Sequence, residues 1–181
     1  MNRSALCTAV ILISASLWVP VISAAPSQPD NKALFQMSAR VLAFVSELKG
    51  SEDLNWKHIE KSLKVGLSRM DDGGVYTSDD AGEGWVYSVQ YFRWGGTMHD
   101  GFQFGLYPAS FSAEFQPACI ASMDNVSKAL VSHGYVEKGP VSPQSKTSLR
   151  TFTKNDLVIE AWGGSSIAPS NDCVRLITTK D

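Results

Sequence analysis

The spacing of apolar residues changes character partway along this chain. Up to Leu67 they recur every three or four positions; from Val75 onward they mostly alternate. A chain that switches from a helical to a two-residue period must build both kinds of element. Leu34, Met37, Val41, Leu42, Val45 and Leu48 fall at helical spacing, with Asp30 or Asn31 able to cap and Gly50 to stop the helix. Ser51 or Asp53 is expected to start a second helix with the stripe Trp56, Ile59, Leu63 and Leu67, and with Lys57, Lys61 and Lys64 on its other faces.

Past Arg69, two clusters rich in Asp and Gly, 71–74 and 79–84, bracket a short strand at Val75 to Thr77. Trp85 to Phe92 alternates, with Trp85, Tyr87, Val89 and Tyr91 on one face. The other face is also partly apolar, which predicts an inner strand. Phe102, Phe104 and Leu106 alternate again after the glycine-rich loop 94–101. Ser122 caps a third helix, Asp124 suits the positive end of its dipole, and His133-Gly134 ends it. A loop or edge segment follows at 138–147. Two strands, Leu149 to Thr153 and Leu157 to Trp162, then flank the turn Lys154-Asn155-Asp156, and Cys173 to Thr178 is the last strand. The order ααβββαβββ, joined by hairpins, predicts an α+β domain: a mostly antiparallel sheet with two N-terminal helices and one central helix on one face.

One local repeat stands out. Trp94-Gly95-Gly96 and Trp162-Gly163-Gly164 each follow a strand and open a long connection to the next. This is either a duplicated hairpin or coincidence, since glycine after a strand is common.

Asn2 and Arg3 precede a run from Ala5 to Ile22 without a charge. Pro20 then breaks the run, and Ile22-Ser23-Ala24 fits a cut before Ala25. This is the order of a cleavable secretory signal, expected over residues 1–24. Residues 25–30 become a flexible lead and residues 31–181 a single globular domain. No later apolar run reaches the ~18 residues of a spanning helix, so no membrane span is expected after cleavage. Of 3 cysteines, Cys7 leaves with the signal. Cys119 and Cys173 remain as a pair in an oxidising compartment, periplasmic or extracellular, where a disulfide is expected. Closing a loop of roughly 50 residues that way is worth about 4 kcal/mol.

Arg3 is the only charged residue in the signal, so cleavage leaves the chain one unit more negative than its formal −2. No basic stripe suggests nucleic acid as a partner. The three histidines His58, His99 and His133 sit on different elements, and none has a metal-ligand spacing to another His or a Cys. No metal and no cofactor is therefore expected. Asp71, Asp72, Asp79, Asp80 and Glu83 lack the spacing of a twelve-residue calcium loop.

Two functional classes remain open. An enzyme, such as a small secreted hydrolase, would use His99 with Asp100 or Glu114, because imidazole titrates near neutrality and a carboxylate can orient it. A binding protein would use the connections that hold Trp94, Met98 and His99, and Trp162. Large amphipathic side chains in loops commonly carry recognition. If both connections emerge at one end of the sheet, these four residues form one surface ringed by Thr97, Asp100, Ser165 and Ser166. The binding class leads: an exported envelope protein that binds or neutralises another protein. In size, export and single disulfide it is similar to exported inhibitors and immunity proteins.

Overall fold

The computed structural model describes residues 32–79, 81, 84–93, 100–110, 118–139, 148–164 and 172–180. The first helix, α1, spans Lys32–Glu47 and buries Leu34, Met37, Val41 and Val45. Phe44 joins that stripe and meets Phe102 of the sheet edge-on at 5.1 Å. A single 3-10 turn occupies Ser51–Asp53. Here the structure departs from the expected start of the second helix. Asp53 accepts from the Lys49 backbone N–H instead of capping a helix, and α2 (Trp56–Leu63) is capped by Asn55, which accepts from the His58 N–H at 3.0 Å. Lys64 in the left-handed conformation ends it, so Leu67 lies past the helix yet stays buried. The third helix, α3 (Met123–Ser132), follows its expected cap: Ser122 accepts from the Asn125 N–H, and Gly134 takes φ 88° beyond the end.

Among the described residues, nine strands form one sheet. They are β1 (Ser68–Met70), β2 (Gly73–Thr77), β3 (Trp85–Arg93), β4 (Asp100–Pro108), β5 (Ala121–Ser122), β6 (Val136–Lys138), β7 (Ser148–Lys154), β8 (Leu157–Gly163) and β9 (Cys173–Lys180). Every pairing is antiparallel, in the order β1-β2-β3-β4-β9-β8-β7-β6, with β5 beside the start of β9. The fold is thus α+β with an antiparallel sheet. The strands the sequence did not signal, β1, β5 and β6, have two or three residues each, too few to establish a period.

The sheet order reads alike from both edges. β1 to β4 enter from one side and β6 to β9 from the other, and the halves meet at the β4–β9 ladder. Across that ladder Phe104 faces Ile177; Val89 pairs with Phe104, and Ala161 with Ile177. Val89 and Ala161 therefore occupy matching places. Trp162 matches Gln90, not Trp94, so the two Trp-Gly-Gly sequences are out of register with the symmetry of the sheet.

The inner face of the sheet carries Trp85, Tyr87, Val89 and Tyr91 of β3 beside Phe102, Phe104 and Leu106 of β4, all buried. Ile177, Ile159, Ala161 and Phe152 extend this layer under the helices. Burying each large side chain here stabilises by roughly 1.5–3 kcal/mol. The Cys119–Cys173 disulfide, Cα–Cα 5.3 Å, joins the segment before β5 to the first residue of β9.

Candidate functional site

β3, β4, β9 and β8 alternate in direction, so β3 and β8 run oppositely. The connection after β3 and the connection after β8 therefore leave from opposite ends of the sheet. This corrects the expectation of one continuous surface made by both. It needed two strands running the same way, and an even number of antiparallel steps between them; three steps separate them. Trp94, Met98, His99, Thr97, Glu114, Ser165 and Ser166 lie outside the described residues. Asp100 begins β4, where its backbone pairs with Arg93.

Trp162 is described, and it is a strand residue rather than part of a loop. In β8, Leu157, Ile159 and Ala161 point to the helices, so Val158, Glu160 and Trp162 take the opposite face, away from the described helices. Trp162 is half-buried, and its indole N–H donates to Glu160 at 3.2 Å. Its cross-strand neighbours on the same face are Leu149 of β7 and Leu176 of β9, both half-buried.

One polar row crosses this face beside Trp162. Gln90, Gln103, Thr178, Glu160 and Thr151 stand opposite one another on five successive strands. Glu160 is buried at 7 % exposure, while the other four are half-buried. The adjacent Tyr107 lies flat over Gly105, where a Cβ would come within 2.6 Å of the phenol oxygen, and its hydroxyl accepts from the Gln103 amide at 3.0 Å. Trp162, Leu149, Leu176 and Tyr107 thus form an apolar strip along a row of hydrogen-bonding groups. The described residues of this face offer contact area and directional polar partners. Sequence reasoning missed it because the polar members are separate in sequence and meet only through the register. The one available sign was the amphipathic second face of β3.

The other described histidines serve the scaffold. His58 Nδ1 lies 2.9 Å from the Asp53 carbonyl and its ring meets Phe44 edge-on. His133 Nδ1 lies 2.9 Å from the Ala129 carbonyl at the end of α3. Among the described residues no three His, Cys, Asp or Glu side chains group as metal ligands. Asp71 and Asp72 are exposed in the β1–β2 turn, beside an open groove of about 330 Å³ lined by Trp56, Arg69 and Tyr91. There the Arg69 guanidinium stacks on Trp56 at 4.3 Å.

The titratable groups whose protonation the fold shifts lie on the helix side. Burial, a hydrogen bond to Tyr76 and the charge of Tyr76 push the Tyr87 phenol up to about 12. Burial also raises Tyr135, and it lowers the Arg175 guanidinium. None of these groups belongs to the polar row. Comparison of the chain with known protein families, curated proteins and solved structures found no match.

Proposed function

We propose that this chain is an exported, non-enzymatic binding protein of the cell envelope that engages another protein across the face of its sheet turned away from the described helices. The observation that carries the reading is the strip around Trp162. Half-buried Trp162, Leu149 and Leu176, with exposed Tyr107, hold apolar surface on the side away from all three described helices. Tryptophan and tyrosine supply large contact area at low ordering cost, and Trp is enriched among residues that dominate binding energy. The polar row supplies hydrogen-bond partners that set orientation. Cys119–Cys173 supports the compartment, since disulfides persist outside the reducing cytosol. No described helix is long and apolar enough to cross a membrane. The partner is a protein that lays an apolar ridge along Trp162 and Leu149, and blocking that ridge is how the chain would neutralise it.

Affinity capture on the mature protein from an envelope extract, followed by reconstitution with each purified candidate, tests this. A partner bound by wild type and weakened at least ~10-fold by Trp162→Ala supports the reading, since central Trp truncations commonly cost 2 kcal/mol or more. A partner that binds Trp162→Ala and Leu149→Asp as tightly as wild type refutes it.

A further inference from the structure

The first helix is apolar on more than one side. Leu34, Met37, Val41 and Val45 face the core, and Phe44 packs on Phe102 of the sheet. The side of α1 turned away from the sheet is exposed, yet it carries Ala33, Phe35, Ala39 and Ala43, with half-buried Leu42 beside them. Phe35 is 76 % exposed, more than any other large apolar side chain among the described residues. Phe35, Ala39 and Leu42 fall at i, i+4 and i+7, which makes a second helical stripe. One exposed apolar residue needs no explanation, whereas a helix that is apolar on both sides is normally covered on both.

The charges on the exposed side are set against the helix itself. Lys32 opens α1 and Glu47 closes it, and the first turn holds no acid and the last turn no base. A helix N-terminus carries partial positive charge and its C-terminus partial negative charge, so each of these side chains stands at the end that repels it. Lys154 answers the Leu48 carbonyl, one residue past Glu47. Among the described residues neither Lys32 nor Glu47 has an ion-pair partner. Lys32, Gln36, Ala39, Ala43 and Glu47 recur at steps of three or four, so they share one face. Turned end for end about the middle of α1, that face brings Lys32 level with Glu47 and Gln36 level with Ala43.

We propose that this face is the interface of a homodimer, in which α1 packs antiparallel on α1 of a second copy. Each Lys32 then meets Glu47 of the other copy, and symmetry repeats the pair at both ends. Each pair also sets a carboxylate at a helix N-terminus and an ammonium at a C-terminus, which reverses both unfavourable contacts with the dipoles. Ala39 and Ala43 are small enough to let the two backbones approach, and Phe35 packs at the level of Ala43 of the second copy. A two-fold interface requires this self-complementarity, because one patch must serve both subunits. The contact is a single pair of helices, so the association is weak and depends on concentration. Trp162, Leu149, Leu176 and Tyr107 lie on the other side of the sheet. The dimer therefore leaves both strips free, and the inference does not rest on what they bind.

Sedimentation equilibrium of the mature protein at increasing concentration reads the association. Wild type should shift from monomer toward dimer. Lys32→Glu and Glu47→Lys each set like charges against one another at both ends, and each should weaken the dimer at least ~10-fold. Phe35→Asp should weaken it as much. All three positions are exposed, so the variants keep the core and should melt like wild type. Two further arms restore the match. The double variant Lys32→Glu/Glu47→Lys should regain wild-type association. An equimolar mixture of the two single variants should do the same, because each copy supplies the charges that the other lacks. Wild type that stays monomeric up to its solubility limit overturns the proposal, and leaves the face to residues 25–31 of the same chain or to another protein. Single variants that associate as wild type does, or a mixture no stronger than its components, overturn it as well.

Discussion

Lys154 donates from its ammonium to the carbonyl of Leu48 at 2.8 Å, across a sequence distance of 106 residues. The same ammonium lies 5.0 Å from the Tyr135 ring, and Tyr135 donates to the Val45 carbonyl at 2.9 Å. Asn155 adds a bond to the Lys49 carbonyl. The β7–β8 turn thus closes over the backbone just past α1, satisfying the carbonyls of Leu48 and Lys49. Lys154→Met keeps the stem and removes the charge. It should lower unfolding free energy by about 1–2 kcal/mol in urea, and leave the strip around Trp162 unaffected. An unchanged urea midpoint would show that this cap contributes nothing.

Stability should fall at high pH through the buried phenols. The fold holds Tyr87 protonated up to about 12, whereas an unfolded tyrosine titrates near ~10. The folded state therefore binds more protons between those values. The contribution is complete below the unfolded value and is lost as pH rises toward the folded one. The raised Tyr135 acts in the same direction. Urea midpoints measured from pH 9 to 11.5 should drop more steeply for wild type than for Tyr87→Phe. Parallel curves would remove Tyr87 from the account.

Trp85 and Trp162 should separate core from surface. Trp85 is 5 % exposed on the inner face, so Trp85→Ala should cost about 3–5 kcal/mol. Trp162 is half-buried on the other face, and its truncation should cost roughly 1 kcal/mol, part of it the lost bond to Glu160. Thermal melts of the two variants check the ranking; equal losses would place Trp162 in the core.

The helices were legible because their stripes and caps are local: Ser122 capped α3 where expected. The start of α2 was misplaced because Asp53 and Asn55 are both competent caps, and only the contact of Asp53 with Lys49 decides between them. Alternation correctly assigned the faces of β3 and β4. The order of strands was not legible, because period says which face a residue takes and nothing about which strand lies beside it. That gap also produced the expectation that the two connections share one end of the sheet, since the ends from which they leave depend on strand order and direction. The sequence reads Trp162 both as the end of a strand and as the opening of a connection, and the strand runs one residue past it. Arg175 was readable only as one charge inside the apolar run Cys173 to Ile177.

Breaking Cys119–Cys173 should destabilise without redirecting the fold. A Cys119→Ala/Cys173→Ala double variant is expected to lose about 2–4 kcal/mol. Its circular dichroism at low temperature should match wild type, because the core stripes remain. A non-reducing digest of wild type should yield one linked peptide pair containing both residues, and two free thiols would rule the bond out.

Gly73 should tolerate no side chain. Its φ is +155°, and a Cβ there would stand 2.0 Å from the Tyr91 carbonyl oxygen. Gly73→Ala must push β2 away from β3 and should cost about 2 kcal/mol or more. A melting temperature equal to wild type would show that the turn re-forms freely.

The mirrored sheet order also shapes how the chain reaches its native state. Within each half, neighbouring strands follow one another in sequence, so β1 to β4 and β6 to β9 can zip as local hairpins with little loop-closure entropy. Among the described strands, distant segments meet along β9, which takes β4 through Gln103–Thr178, Phe104–Ile177 and Gly105–Leu176 and β5 through Ala121–Val174 and Ser122–Cys173. Closing that seam is the non-local step, the kind that slows folding. Cys119 and Cys173 bridge beside it, so oxidation shortens the search in which the half that ends in β9 finds β4.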